Sequence, residues 1–428
     1  NQSGRVIGVL QLINARSPGG EVVPFSEPQR ALASALAAQA AVLLDAQQLY
    51  AGQRRLLEAF LELLAGAIDH KSPYTGGHCR RVPVLTEMIV QAMTEARDGP
   101  YADFELSDEE WYELHIAAWL HDCGKVTTPV HVMDKSTKLE SIRDGMETVR
   151  ARFEALRREL QLEHLVAGGA LGDADLAERL AELDDDLAFL ETSNVGGEFL
   201  DESKKERIRR IGARRWRCGE EHRNLLTDEE IANLCVERGT LTQDERLVIN
   251  GHMVQTVKML ESLPFPRDLR RVPEYAGGHH ETMDGTGYPK GIFAGDMSVP
   301  ARCMAIADVF EALTATDRPY KKGKTLSESM TIMGRMKRGN HLDPDLFDLF
   351  VRSGVYREYA RRYMQAELID EVDEASLLAI EPEAFELPPE EVRAARWEDF
   401  REEYKPLEKC VLGNLLPDLA ARRHSCVS

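Results

Sequence analysis

The chain has 428 residues, enough for more than one hydrophobic core. Its 53 Lys and Arg stand against 73 Asp and Glu, a formal net charge of -20, which excludes the broad basic face that long nucleic acid requires. Seven cysteines, placed singly at Cys79, Cys123, Cys218, Cys235, Cys303, Cys410 and Cys426, lack the spacings of a disulfide framework or a paired-cysteine zinc site and point to a reducing cytoplasm.

In chain order, Arg5 to Asn14 (RVIGVLQLIN) is rich in Val, Ile and Leu and predicts a buried strand. Pro18-Gly19-Gly20 then predicts a turn, and Ser26 before Glu27-Pro28 a helix start, because Ser caps well and Pro fits the first turn. GVLQLIN followed by PFSEPQRALASALAAQAAVLL resembles the closing strand and last helix of a GAF domain, so residues 1–30 are read as the C-terminal remnant of a sensory domain. Ala31 to Leu44 is the most apolar stretch but is shorter than the roughly 18 residues of a membrane span, so no membrane segment is expected. No signal peptide precedes it and the chain starts at Asn1, which we read as a piece of a longer protein.

Leu36, Leu43, Tyr50, Leu57 and Leu64 fall one heptad apart, with Leu32, Gln39, Ala46, Gln53, Phe60 and Ala67 on the companion positions. Residues 31–70 are therefore predicted to form a signalling helix that pairs two copies of the chain as a homodimer, its polar interruptions serving as register devices.

Farther on, Met146, Val149, Phe153, Leu156 and Leu160 step three and four apart. After the break at Gly168-Gly169 and Gly172, Leu176, Leu180, Leu183, Leu187 and Leu190 resume the step, which predicts a helical hairpin within residues 139–238. The basic run Lys204 to Arg210 beyond it is read as a solvated helix face. Residues 361–428 are expected to be an acidic helical extension, with Val392, Trp397, Phe400 and Tyr404 on one amphipathic helix.

The chemistry lies in His78, His121-Asp122, His252, His279-His280 and Asp308, most of them in or beside apolar, helix-like stretches. A single such histidine is usually a core residue. Five, with two aspartates, would cost several kcal/mol each to bury without a shared partner, and a divalent metal is the partner that suits them. Asp122 has two oxygens and could bridge two ions, a pair that holds a hydroxide at neutral pH and clamps both oxygens of a phosphoryl displacement.

The motifs YTGGHCRRV, WLHDCGKV, HHETMDGTGYPKG, IADVFEALTATDRPYKK and GNHLDP resemble the HD-GYP family of metal-dependent phosphohydrolases. The resemblance covers residues 56–138 and 239–360, with the hairpin inserted between them. It implies a mainly α fold, with an all-helical catalytic domain that hydrolyses cyclic di-GMP to the linear dinucleotide, in some members onward to GMP. By the same resemblance, His78, His121, Asp122 and Asp308 hold one metal, and Asp122, His252, His279 and His280 the second, with a bridging hydroxide as nucleophile. The ions would be iron or manganese; family members with a third ion carry a glutamate where this chain has Tyr74.

Lys125 resembles the family lysine that faces the scissile phosphate, and Arg318 and Lys321 its phosphate-binding pair. Gly285 and Tyr288 belong to the loop that names the family and are expected at the substrate. Glu281 and Asp284 are expected to orient the histidines from behind. Two other readings stay open. One is a phosphohydrolase of another nucleotide; the other is a non-catalytic receptor or scaffold for a partner such as a GGDEF-type cyclase.

Overall fold

A computed structural model describes residues 6–71, 77–166, 173–315 and 323–393. The chain divides into two compact units, residues 1–64 and 65–428.

In the first unit, residues 6–14 pair with no strand among the described residues, against the expectation of a buried strand. Val9 and Ile13 are largely exposed, since an extended segment without a ladder partner has no sheet face to bury. The turn at Pro18 to Gly20 is present, closed by a bridge between Arg16 and Val22. Helix α1 (Glu27–Lys71) starts directly after Ser26, whose backbone N–H donates to Gln29 Oε1 at 2.9 Å. Its heptad residues Leu36, Leu43 and Tyr50 are 53%, 67% and 60% exposed, so this side of α1 presents an apolar face interrupted by Gln39 and Gln53.

The second unit is helical: α2 (His78–Glu95), α3 (Asp108–Leu120), a 3-10 turn (Cys123–Thr127) and α4 (Val130–Met133) come first. Residues 139–238 follow with α5 (Met146–Val166), α6 (Asp173–Val195), α7 (Glu202–Gly212), β1 (Arg215–Cys218), β2 (Glu221–Asn224) and α8 (Asp228–Leu234). Then come α9 (Gln243–Glu261), α10 (Val272–Gly277), α11 (Val299–Thr314), α12 (Leu326–Arg338), α13 (Pro344–Ser353), α14 (Val355–Tyr363) and α15 (Glu374–Leu378). Capping boxes start α3 at Ser107, α8 at Thr227, α9 at Thr242 and α12 at Thr325, each with Glu at the third helical position.

The core that positions the site joins segments distant in sequence. Helix α2 packs on α11 and α3, and α9 packs on α10 and on the 3-10 turn. Gly124 makes that last contact: an added Cβ would lie 2.0 Å from the His252 carbonyl oxygen, so only glycine admits the turn against α9.

This segment folds about an apolar cluster of its own, from Leu139, Met146, Val149, Phe153 and Leu156 through Leu183 and Leu190 to Ile208, Ile211, Leu226 and Leu234. Helices α5 and α6 pack together as the hairpin pattern implied; the glycines expected between them, residues 168, 169 and 172, lie outside the described residues. The antiparallel pair β1 and β2 was not expected from sequence: each strand is four residues long, and β2 is polar and exposed throughout. The basic run sits on α7 among acids, Lys204 with Glu198, Lys205 with Glu237, Arg207 with Asp185 and Asp186, and Arg209 with Glu202. Trp397, Phe400 and Tyr404 of the expected C-terminal amphipathic helix lie outside the described residues. Among the described residues no helix is long and apolar enough to cross a membrane.

Candidate metal centre

Each side chain of the centre is delivered by a helix or helix end. His78 opens α2, His121 caps the end of α3, and Asp122 begins the 3-10 turn. His252 lies within α9, His279 and His280 follow α10, and Asp308 faces inward from α11. The fold gathers these seven residues into two groups, His78, His121, Asp122 and Asp308, and Asp122, His252, His279 and His280, each with one ligand atom per residue within 4.8 Å of the others. Among the described residues these groups are able to hold a metal ion.

Asp122 belongs to both groups, one oxygen to each. Its Oδ2 lies 3.2 Å from His78 Nε2 and 3.1 Å from His121 Nε2, whereas Oδ1 lies 3.4 Å from His252 Nε2. Asp308 Oδ1 adds a second carboxylate to the first group, 3.1 Å from His78 Nε2.

The histidines are oriented from behind. His121 Nδ1 is 2.7 Å from Ala118 O, His252 Nδ1 2.5 Å from Ile249 O, and His279 Nδ1 2.6 Å from Ala276 O, each carbonyl three residues earlier. A carbonyl only accepts, so Nδ1 carries the proton and Nε2 presents its lone pair to the centre. Nε2 of His78, His121, His252 and His279, with Asp122 Oδ1, are buried and have no hydrogen-bond partner among the described residues. Converging, buried, unpartnered donors of imidazole and carboxylate type fit a divalent transition metal.

The electrostatics agree. Burial, helped by the charge of His121, lowers the His279 pKa to about 4, and burial with the charge of His279 holds His280 well below its ordinary value. Both are neutral, the ligating form, at physiological pH. Burial disfavours ionising Asp122, but the charge of Lys125 and the adjoining His121 and His252 imidazoles outweigh it and hold the carboxyl well below the usual range. Burial also works against a charge on His78, yet the Glu311 carboxylate outweighs it and raises that pKa, the negative field a cation would meet there.

Lys125 reaches the centre, its Nζ 2.5 Å from Asp122 Oδ2. Burial alone would lower its pKa, but the neighbouring carboxylates, Asp122 foremost, raise it, so the ammonium stays charged.

Glu281 and Asp284, expected to orient the histidines, instead hold the following loop. The buried Glu281 accepts from the backbone N–H of Lys290 at 2.7 Å and of Ile292 at 3.1 Å, and its pKa is pushed up to about 7 by burial. Asp284 Oδ1 accepts from Thr282 Oγ1 at 2.7 Å and from Thr286 N at 3.1 Å. Proximity in sequence misled here: both carboxylates lie beside the histidines in the chain but are occupied by loop backbone and hydroxyls. The residue that does orient a histidine is Glu311, which bonds His78 Nδ1 and also pairs with Arg81 Nε at 2.6 Å. It stands three residues beyond Asp308, on the same face of α11, a spacing that was available in the sequence.

The glycine-rich loop closes over the second group. Gly285 has φ +74, and a Cβ on Gly287 would lie 2.5 Å from Glu281 Cα, so the loop doubles back tightly on the residues after His280. The Tyr288 ring stacks on His280, centroids 4.8 Å apart and planes inclined by 19°. Arg318, Lys321 and Tyr74 lie outside the described residues.

A family model described as an HD domain matches residues 227–346, the segment that contributes His252, His279, His280 and Asp308. The chain carries an HD domain. This HD domain, with the motifs quoted above, is consistent with the HD-GYP resemblance. The chain is 40% identical over 129 residues to the 3'3'-cGAMP-specific phosphodiesterase 1 of Vibrio cholerae, covering 30% of this chain and 28% of that protein. It is 32% identical over 294 residues to the 3'3'-cGAMP-specific phosphodiesterase 3 of the same organism, covering 68% of this chain and 38% of that protein. A cyclic di-GMP phosphodiesterase of Pseudomonas aeruginosa is 37% identical over 119 residues, 28% of each chain. The chain thus spans between 28% and 38% of the length of these curated relatives.

Proposed function

We propose that the chain is a metal-dependent phosphodiesterase that opens a cyclic dinucleotide, cyclic di-GMP, to its linear form. The observation that carries this reading is Asp122, whose two oxygens face two separate histidine groups. The HD domain and the phosphodiesterase relatives support it. In this reading each group holds one divalent ion, iron or manganese. When bound, such a pair supplies Lewis acidity toward phosphoryl oxygens and brings the ionisation of water near neutral pH.

The chain's own residues supply the rest. Lys125 places a permanent positive charge beside Asp122, where it stabilises negative charge developing on a phosphate. Carbonyl bonds fix the imidazoles before substrate arrives, so no reorganisation is required during reaction. Tyr288, which stacks on His280, and Gly285 of the same loop would contact the substrate, and Arg318 and Lys321 would bind its phosphates. We place the protein in the cytoplasm, paired as a homodimer through the exposed apolar face of α1. Residues 1–30 are read as the end of a GAF-like sensory domain, and a GGDEF-type cyclase as a partner.

A second substrate reading has a specific motive: the relatives at 40% and 32% identity are named 3'3'-cGAMP-specific. The experiment is to load the chain with Mn or Fe, supply cyclic di-GMP and 3'3'-cGAMP at equal concentration, and chromatograph the products. Linear dinucleotide or GMP from cyclic di-GMP supports the first reading, and preferential loss of 3'3'-cGAMP the second. No cleavage of either by a metal-loaded chain contradicts both and favours a receptor or scaffold.

A further inference from the structure

We infer that the last turn of α1 positions the first metal group through Asp69 and Lys71, an inference that rests on reading that group as part of a phosphodiesterase. Lys71 Nζ donates to three carbonyls of one segment, Lys125 O at 3.1 Å, Val126 O at 2.5 Å and Thr128 O at 2.7 Å. An ammonium has three protons, and each finds an acceptor at the end of the 3-10 turn, where backbone carbonyls lack helical partners. This turn begins at Asp122 and carries Lys125, whose N–H bonds back to Asp122 O at 2.9 Å.

Two residues earlier on α1, Asp69 serves the other segment. Its Oδ2 accepts from Gly77 N at 3.0 Å and its Oδ1 from Cys79 N at 3.3 Å, the backbone on either side of His78. The start of α2 has no cap of its own, since Gly77 has no side chain to provide one. Asp69 is buried and takes that role from a distance.

One helical turn therefore grips both segments that meet at the first group, where His78 Nε2 and Asp122 Oδ2 stand 3.2 Å apart. Loss of either grip changes that separation, because Asp69 ties the start of α2 to this turn and Lys71 ties the Asp122 turn to it. Asp69 and Lys71 are positioning residues, since these bonds go to backbone and not to ligand atoms.

The test uses the whole chain with Lys71→Met, Lys71→Arg and Asp69→Asn, reading Mn2+ titration, amide hydrogen exchange over residues 123–128, and steady-state hydrolysis. Lys71→Met is expected to lower kcat about tenfold with KM changed by less than about twofold, because misplacement affects the reacting geometry more than binding. It should also weaken Mn2+ binding and speed exchange over residues 123–128, and Lys71→Arg should restore most of each. Asp69→Asn should weaken Mn2+ binding from the α2 side, and decides the matter if Lys71→Met does not fold. Wild-type Mn2+ affinity and wild-type exchange in both Lys71→Met and Asp69→Asn would overturn the inference. The titration and exchange need no substrate. A wild-type chain that hydrolyses no cyclic dinucleotide, while these variants lose Mn2+ affinity, sinks the phosphodiesterase reading and leaves the positioning role standing.

Discussion

Asp122 meets His252 through Oδ1, 3.4 Å from Nε2, while its other oxygen is turned to His78 and His121. A single carboxylate is thereby shared between two ligand groups. Removing His252 should affect only one of them. His252→Ala is expected to lower the bound metal by about half, as measured by elemental analysis, because His121, His78 and Asp308 remain to hold the first ion. Loss of all metal would mean that the groups do not fill independently.

Glu311 offers a test away from the ligand atoms. Its carboxylate orients His78 and is braced by Arg81. Glu311→Gln should weaken metal binding by about 10- to 100-fold, the usual effect of losing a partner that orients a ligand. A titration with Mn2+ measures it, and an unchanged affinity would show that His78 needs no such support.

Glycine at residue 124 is demanded by close approach. A Cβ there would lie 2.0 Å from His252 O and 2.6 Å from Thr256 N. Gly124→Ala should cost at least about 1–3 kcal/mol of stability, as overpacking does, and disturb His252. Gly52, within α1 and with nothing within 4 Å of an added Cβ, is the contrast. Gly52→Ala should stabilise by about 0.5–1 kcal/mol by lowering the conformational entropy lost on folding. Thermal melts of the two variants should move in opposite directions.

Glu113 gives a pH dependence. The side chain is buried on α3, accepts from Arg271 N at 2.5 Å, and has a pKa raised above its ordinary 4.5, chiefly by burial. A carboxyl with a raised folded pKa takes up a proton more readily folded than unfolded. Its contribution is therefore most favourable below the unfolded pKa and is lost as pH rises through the folded pKa. Glu113→Gln, which keeps an acceptor for Arg271 N without the charge, should raise Tm at pH 8 and leave it nearly unchanged at pH 4. Equal shifts at both pH values would argue that burial of the charge is not what matters.

The cluster of candidate ligands was legible because its chemistry is written in residue types: five histidines and two aspartates beside apolar runs, in motifs that resemble a known family. The fold brings all seven together. What holds them in place was harder to see. Three histidines are oriented by backbone carbonyls, which no sequence displays. Glu311 was available as the residue one turn beyond Asp308, but Glu281 and Asp284 drew attention by standing next to His280 in the chain. The heptad residues of α1 and the stepped leucines of α5 and α6 marked helices correctly, since a long periodic pattern has one reading. Arg5 to Asn14 and the pair β1 and β2 failed in opposite directions. The first has strand composition without a partner among the described residues, and the second forms a ladder from short polar segments with little pattern to detect.

The most direct measurement counts metal ions per chain by elemental analysis in the wild type and in Asp122→Ala after loading with Mn2+ or Fe2+. If one carboxylate joins two groups, the wild type holds two ions and Asp122→Ala retains neither tightly, since each group loses a shared ligand. A wild-type chain that binds no ion, or an Asp122→Ala chain that still holds two, would contradict it.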